Sequence, residues 1–446
     1  MGRRRWDLIT GVCLAGAAAL SGCSKSNDTA TKSKATHPVT EKTEASPTAT
    51  PKVDVAEKGT AKPEDVKAAK ARLSQIGSGA KFVEKAGKLT EITVQDGASV
   101  TADDVALFGK LTDLQKLQIY NCRALNDDMA SHLLGLKALT SIALTNSIIS
   151  DSTVKAIVKA FPKLIELDLS SNTNMTNGVL KVIAELQKLQ RLTLVQNRFN
   201  EINTRQLAKM PELRALDLRG NMEAGDMTLE VVSKLPKLTA FKHRSNAASD
   251  NGMQYLANAA VLDSLLIQDF AITGQSGMHL ANLKKLTQLE IFRCQGFGSD
   301  GVLALKGLQL QRLTLRDLPN VDDQAMDLLT DLPKLKKLYL HELDSLSDDG
   351  LKKLASLQSL ELLDIWSISR MSDATVDVIA ALPNLKELGI RSTSMTDASI
   401  DKLIAMPKLQ SLTLKDNASI TADGIRKLST RKWTKLDTGA GASESE

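Results

Sequence analysis

Aliphatic residues return along most of this chain in the order L-x-x-L-x-L, at intervals of 24 or 25 residues. The first leucine of each turn is Leu89, Leu114, Leu139, Leu164, Leu189, Leu213, Leu238, Leu262, Leu286, Leu310, Leu335, Leu360, Leu385 and Leu409. Within Leu164-Ile-Glu-Leu-Asp-Leu169 the alternation has a period of two, which predicts a short strand with its leucines on one side. The second half of a turn changes period. In Met395–Pro407, Thr396 is a good N-cap, Asp397 suits a helix start, and Ile400, Leu403, Ile404 and Met406 share one face. Pro407 stops that helix, as Pro162, Pro211, Pro236, Pro333 and Pro383 stop others, and related helices begin near Asp322, Ser347, Ser372 and Thr421. From Val321, Leu346, Met371 and Met395 to the next first leucine the distance is always fourteen residues, so the variation in period falls in the loop before the helix.

A repeat of this length with this anchor resembles the leucine-rich-repeat family, in its ribonuclease-inhibitor-like and cysteine-containing branches. The resemblance implies an α/β solenoid of horseshoe form. A parallel β-sheet would line the concave face, and α-helices would spread the convex face. The family usually places Asn or Cys just after the strand, where the side chain bonds loop backbone. Here Asn172, Asn197, Asn221, Asn246 and Asn417 hold that place, with Cys122 and Cys294 in two other repeats. Phe270, Leu318, Leu343 and Ile368 depart from it, so a less regular ladder is expected in those turns. Seven repeats separate Cys122 from Cys294, ~34 Å at strand spacing, which is too far for a disulfide and predicts free, buried thiols.

Ahead of the repeats the pattern is different. Arg3, Arg4 and Arg5, an apolar run from Leu8 to Leu20 and then Leu20-Ser21-Gly22-Cys23 have the order of an export signal. The last four residues resemble a bacterial lipobox, which implies lipidation of Cys23. Residues 1–22 are therefore expected as a lipoprotein signal peptide, and 23–60, rich in Thr, Lys, Ala, Ser and Pro, as a disordered tether. Residues 61–88 do not fit the repeat and are expected to cap it, with a helix over Pro63–Ile76 and an edge strand over Lys81–Glu84. The repeat domain then spans 89–436 and a disordered tail 437–446. This organisation points to an exported, membrane-anchored protein facing the periplasm or carried on the outer membrane.

Composition narrows the chemistry. Charged residues are 24% of the chain and the formal net charge is +5, a balance that gives no sign of nucleic-acid binding. His37, His132, His243, His279 and His341 are scattered, and none of Cys13, Cys23, Cys122 and Cys294 makes a C-x-x-C pair, so no metal site is expected. No phosphate loop, dinucleotide fingerprint or nucleophile elbow occurs. Asp103-Asp104, Asp322-Asp323 and Asp348-Asp349 stand at helix starts, where electrostatics explains them. The chain is expected to be neither an enzyme nor a cofactor carrier.

Aromatics are only 3% of the chain, which makes their placement informative. The column just after the third apolar anchor reads Arg219, Arg244, Gln268, Phe292, Arg316, His341, Trp366, Arg391 and Lys415, a stripe ~38 Å long at strand spacing. Tyr339, Arg312 and Arg293 lie beside it. In the first five repeats the same column is Gln95, Tyr120, Thr145, Ser170 and Val195, without formal charge. Arg and large aromatics suit a binding face, so Arg219, Arg244, Phe292, Arg293, Arg316, Tyr339, His341, Trp366 and Arg391 are candidate contacts for a protein, a peptide, or an anionic or glycan envelope polymer. The alternative is a solvated face in which Asp317, Glu342 and Asp416 neutralise these cations. The function expected is recognition from the concave face. A structural or adhesive element of the envelope, or an inhibitor or regulator of an envelope enzyme, are the rivals.

Overall fold

The computed structural model describes residues 60–439. The expected leader, Cys23, His37 and the tether as far as residue 59 lie outside the described residues, as do residues 440–446 of the expected tail.

Among the described residues sixteen strands form one sheet in chain order. β1 (Ala80–Lys85) is antiparallel to β2 (Lys88–Val94). From β2 onward every strand is parallel to the next: β3 (Lys116–Ile119), β4 (Ser141–Leu144), β5 (Glu166–Asp168), β6 (Arg191–Thr193), β7 (Ala215–Asp217), β8 (Ala240–Arg244), β9 (Ser264–Gln268), β10 (Gln288–Phe292), β11 (Arg312–Arg316), β12 (Lys337–His341), β13 (Leu362–Trp366), β14 (Glu387–Arg391), β15 (Ser411–Lys415) and β16 (Lys435–Asp437). The first leucine of every turn is buried. The two apolar anchors that follow it point the same way, and the residues between them stand on the open side of the sheet.

The second half of each turn packs against the leucines. Several of these segments are shorter and tighter than expected: Asp323–Asp331 is wholly 3-10 helix, and Arg205–Lys209 and Lys352–Ser356 finish their helices as 3-10 turns. Others remain α-helical throughout, Asp151–Ala160 for ten residues. At the N-terminal end the helix Pro63–Ile76 starts on Pro63 and buries Val66, Ala69 and Leu73.

Each strand ends in a sharp turn. The residue after the stripe position takes a left-handed φ of about 50–60° in most repeats, among them Asn121, Ser171, Asp269, Arg293, Asp317, Glu342 and Ser392. That turn carries the next side chain back into the core. Asn172, Asn197, Asn221 and Asn417 are buried there. Asn221 shows what they do: its Oδ1 accepts from the backbone N–H groups of Asn197 and Phe199 (3.2 and 3.0 Å), and its Nδ2 donates to the carbonyls of Leu194 and Leu218 (2.7 and 2.8 Å). Asn246 does not join them. It is exposed, and Ser245 is buried in its stead with its hydroxyl bonded to the Met222 carbonyl at 2.7 Å. The expected loss of regularity where Asn is missing does not occur. β9, β11, β12 and β13, which lead into Phe270, Leu318, Leu343 and Ile368, each keep a five-residue register. The left-handed residue donates its N–H to the stripe carbonyl of the next strand in both kinds of turn, as Asp317 does to His341 at 3.0 Å and Ser171 to Val195 at 2.8 Å, so this part of the ladder does not depend on the asparagine.

The same repeat holds another departure. His243 fills an anchor position that leucine or isoleucine takes in neighbouring repeats, fully buried between the rings of Phe241 and Phe270. Its two nitrogens face the carbonyls of Leu218 and Ala224, and burial pushes its pKa down. It is a core histidine.

The aspartates at helix starts do more than favour the helix dipole. Asp104 pairs with Arg72 and with Thr101 of its own helix, and Asp322 accepts from Ser299 of the repeat before, but eight others reach across to the next repeat and accept from a Ser or Thr at the start of the following helix. Asp323 accepts from Ser347 N and Oγ (2.7 and 2.6 Å), Asp348 from Ser372 N and Oγ (3.0 and 2.6 Å), and Asp397 from Thr421 N and Oγ1 (3.0 and 2.5 Å). Asp127, Asp151, Asp226, Asp250 and Asp373 make the same contact with Ser150, Thr176, Ser249, Thr273 and Thr396. The result is a hydrogen-bonded spine alongside the leucine core.

Candidate functional site

The stripe residues are brought into line by strand register. From β8 to β15, Arg244, Gln268, Phe292, Arg316, His341, Trp366, Arg391 and Lys415 are successive ladder partners. Their side chains all leave the sheet on its open side and are half-buried against one another. Tyr339 occupies the inward neighbour of His341 on the same strand and faces the same way.

Rings and guanidiniums alternate along this face. The Cζ atoms of Arg293 and Arg316 lie 4.6 and 4.4 Å from the Phe292 ring centroid. Arg316 also lies 4.9 Å from the Trp366 ring, and Arg391 stands 5.3 Å from it. Arg312 is 4.8 Å from Tyr339. The His341 ring meets Tyr339 and Trp366 edge-on at 6.0 and 5.8 Å. Each such contact is worth ~0.5–2 kcal/mol and, more usefully, fixes the direction of a side chain that would otherwise sample many rotamers.

The cations are not free charges. Arg316 Nε donates to Glu342 at 2.8 Å, Arg391 Nη2 to Asp364 at 2.8 Å, and Arg293 Nε to Asp269 at 2.7 Å. Arg244 shares Asp269 with Arg293, and Arg312 faces Glu290 at 3.4 Å. Arg219 stands apart, folded onto Asp217 of its own repeat. Seven of the nine candidate contacts therefore form one connected cluster, Arg244 joins it through a shared carboxylate, and Arg219 does not. Asp269, Glu290 and Asp364 are the members that the stripe alone does not reveal. Their signal lay in the columns on either side of it.

Burial works against the charge of Asp364, but the contacts from His341 and Arg391 outweigh it and hold its pKa below the usual carboxylate range. Burial raises the Tyr339 hydroxyl. Four buried polar atoms on this face, Arg312 Nε, Thr314 Oγ1, His341 Nε2 and Arg391 Nε, have no hydrogen-bond partner, and His341 Nε2 is 3.5 Å from Asp364. Elsewhere among the described residues only Gln206 Oε1 is in that condition. Unmet polar atoms are rare in folded proteins and concentrate where something else completes them.

The earlier strands carry a different surface. Asp168 on β5 has its pKa raised to about 6 by burial and by Asp217, and burial pushes Tyr120 up to about 12. No comparable ring-and-guanidinium stack occurs there among the described residues. A cleft of about 580 Å³ opens at the rim of the sheet beside Asp269, Phe270, Arg293 and Gln295. No group of His, Cys, Asp or Glu among the described residues is placed to hold a metal ion, and none of the helices described is long and apolar enough to cross a membrane.

No family model and no curated protein matches the chain. Solved structures do. An internalin (inlF) from Listeria monocytogenes str. 4b F2365 matches with a TM-score of 0.50 and 18% identity, over 83% of this chain and 94% of that one. A chain of the Rad7 and Elc1 complex in yeast matches with a TM-score of 0.53 and 18% identity, over 71% of this chain and 85% of that one. The likeness is one of fold. The chain is a leucine-rich-repeat solenoid. Its function has to be argued from its own side chains.

Proposed function

We propose that this protein is a recognition scaffold, exported and tethered by lipid on Cys23, that holds a partner protein or peptide against the open side of β10 to β14. The observation that carries this reading is the cluster of Phe292, Arg316, Tyr339, Trp366 and Arg391 with its unmet polar atoms. Arg, Tyr and Trp are the residues that dominate binding energy at protein interfaces, most of all when they are pre-oriented. The Rad7 and Elc1 neighbour is itself solved as a complex of two proteins, which agrees with such a role. A metal or group-transfer centre finds no support in the residue types gathered there.

The experiment replaces Arg316, Tyr339, Trp366 and Arg391 by alanine together in the full-length chain, with a photo-crosslinking residue at Ser367. A discrete adduct in the native envelope is expected, and it should disappear in the quadruple variant. An unchanged adduct from a folded variant would end the reading. The in-chain pairing of these cations favours one second reading, an envelope spacer with a merely solvated face, and it predicts no discrete adduct at all. The tether is tested separately: Cys23→Ser should abolish incorporation of labelled palmitate, and retained label would remove the lipid anchor from the proposal.

A further inference from the structure

The partner's chemistry can be taken further, granting that the face of β10 to β14 is the contact surface. Three features of that face restrict what fits it. First, both aromatic rings of the stripe are already engaged. Phe292 has Arg293 and Arg316 over it, and Trp366 has Arg316 and Arg391 over it. A sugar ring seeking a flat aromatic platform would have to displace an arginine. Second, the charge is mixed. The stripe's arginines lie between carboxylates on both sides, Glu290 and Asp364 in one neighbouring column and Asp269, Asp317 and Glu342 in the other. A continuous polyanion laid on the face would meet those acids as often as the arginines. Third, the arginines still have donors to offer. Arg316 gives only Nε to Glu342, so both terminal nitrogens make no hydrogen bond; Arg391 gives only Nη2 to Asp364, which leaves Nη1. Guanidiniums held in place by rings are pre-set for carboxylate recognition, because their planar fork loses little freedom on binding.

Spacing supplies the remaining constraint. Arg316 is on β11 and Arg391 on β14, so three strand intervals, roughly 14 Å, separate their backbone positions. Both guanidiniums lean toward Trp366, 4.9 and 5.3 Å from its ring centroid, so their heads are no further apart than those two distances combined. An extended peptide advances ~3.4 Å per residue, and side chains i, i+2 and i+4 share a face. Residues i and i+4 are then roughly 14 Å apart at the backbone, matching the two strands, and acidic side chains that lean toward the residue between them reach the closer-set guanidiniums. The side chain at i+2 falls between them, over the edges of His341 and Trp366, where an apolar group is suited.

We propose that the face of β11 to β14 binds an extended peptide segment of a partner protein that carries two carboxylate side chains four residues apart with an apolar residue midway. Arg316 takes one carboxylate on its terminal nitrogens and Arg391 takes the other on Nη1. Glu342 and Asp364 keep their own contacts and turn away segments of continuous negative charge.

The test uses the full-length protein and a dye-labelled seven-residue peptide with glutamate at its second and sixth positions and leucine at its fourth. Fluorescence polarisation should show saturable binding, weakened at least tenfold when both glutamates become glutamine. Arg316→Gln and Arg391→Gln should each weaken the glutamate peptide severalfold and leave the glutamine peptide unchanged, with both variants checked for an unaltered melting temperature. Arg316→Lys should recover part of the loss at most, since an ammonium cannot present the fork. Equal binding of the glutamate and glutamine peptides, no binding of either, or displacement by polyphosphate at lower concentration than by unlabelled peptide would each overturn the proposal. The crosslinking experiment on the quadruple variant stands apart from this one. Loss of the adduct together with indifference to glutamate keeps the contact face and removes the acidic peptide.

Discussion

The aspartate spine makes a quantitative prediction at Asp348. Its carboxylate accepts from Ser372 N, Ser372 Oγ and Thr375 Oγ1, all in the next repeat, and Thr375 is fully buried. A charge-assisted hydrogen bond contributes ~1.5–3 kcal/mol, and a buried donor left without an acceptor costs ~1–3 kcal/mol. Ser372 is half-exposed, so water replaces part of what its groups lose on substitution. The Thr375 hydroxyl can turn to a carbonyl one helical turn back, which softens its loss. Asp348→Ala is therefore expected to destabilise the protein by ~2–4 kcal/mol, and Asp348→Asn, which keeps one acceptor oxygen, by ~1 kcal/mol.

The two variants also differ in their response to acid. Burial raises the Asp348 pKa, but the hydrogen bonds from Ser372 and Thr375 outweigh it, so the folded value lies below the ordinary one. A carboxyl depressed in the folded state contributes stability above its unfolded pKa of about 3.9 and loses it as pH falls through the folded value. Asp127, Asp250 and Asp373 are shifted in the same direction by the same kind of contact. Wild-type stability should thus fall steeply below about pH 4, and less steeply in Asp348→Asn. Urea titrations at pH 7 and pH 3.5 give the midpoints, and hydrogen exchange over residues 347–380 locates the change, since a solenoid can open at one interface. A loss under 0.5 kcal/mol for Asp348→Ala, with unaltered exchange at the Ser372 amide, would show that the spine is an accompaniment to leucine packing and not a support of it.

Three other outcomes follow from the same structure. Asn221→Ala leaves the amides of Asn197 and Phe199 and the carbonyl of Leu194 without partners, while the Leu218 carbonyl keeps Asn221 N and His243, and should cost at least ~3 kcal/mol, read from its urea midpoint; an effect near that of an ordinary surface substitution would contradict the ladder. Asp168, raised to about 6 in the folded state, destabilises the protein progressively as pH rises from about 4 to 6, so Asp168→Asn should stabilise it at pH 7 and be neutral at pH 3.5. A thiol-reactive dye at pH 8 should leave Cys122 and Cys294 unlabelled until the protein unfolds, because both are buried and burial pushes the Cys294 thiol up to about 12; rapid labelling of the native protein would place them elsewhere.

The backbone was legible because a leucine must be buried once per turn, and burial fixes everything in phase with it. That is why Phe292, Arg316, Trp366 and Arg391 could be placed on one face from spacing alone, and why Thr396, Ser347 and Ser372 could be read as helix caps. Phase fails where a residue fills a slot by shape and not by type. His243 reads as a polar residue, yet sits in a leucine slot because two carbonyls and two rings receive it. Asn246 reads as a ladder asparagine, yet faces solvent because Ser245 turns inward one residue earlier.

The partners of the stripe were hidden for a related reason. A period states which column a side chain leaves from and is silent on where a long, jointed side chain ends. Arg316 reaches forward one strand to Glu342, Arg391 reaches back one strand to Asp364, and Arg219 bends onto Asp217 of its own repeat. The three choices differ although the three residues share a column. Rings account for two of them: Trp366 draws Arg316 and Arg391 from opposite sides, and the carboxylate each then meets is the one beside that path. Arg219 has no ring next to it in the stripe, since Val195 and Arg244 flank it, and it takes the nearest acid. The aromatics thus do in this face what the leucines do beneath it, turning a periodic row of flexible side chains into one fixed arrangement. Removal of Trp366 should accordingly disturb both arginines, whereas removal of either arginine leaves the other with its own carboxylate.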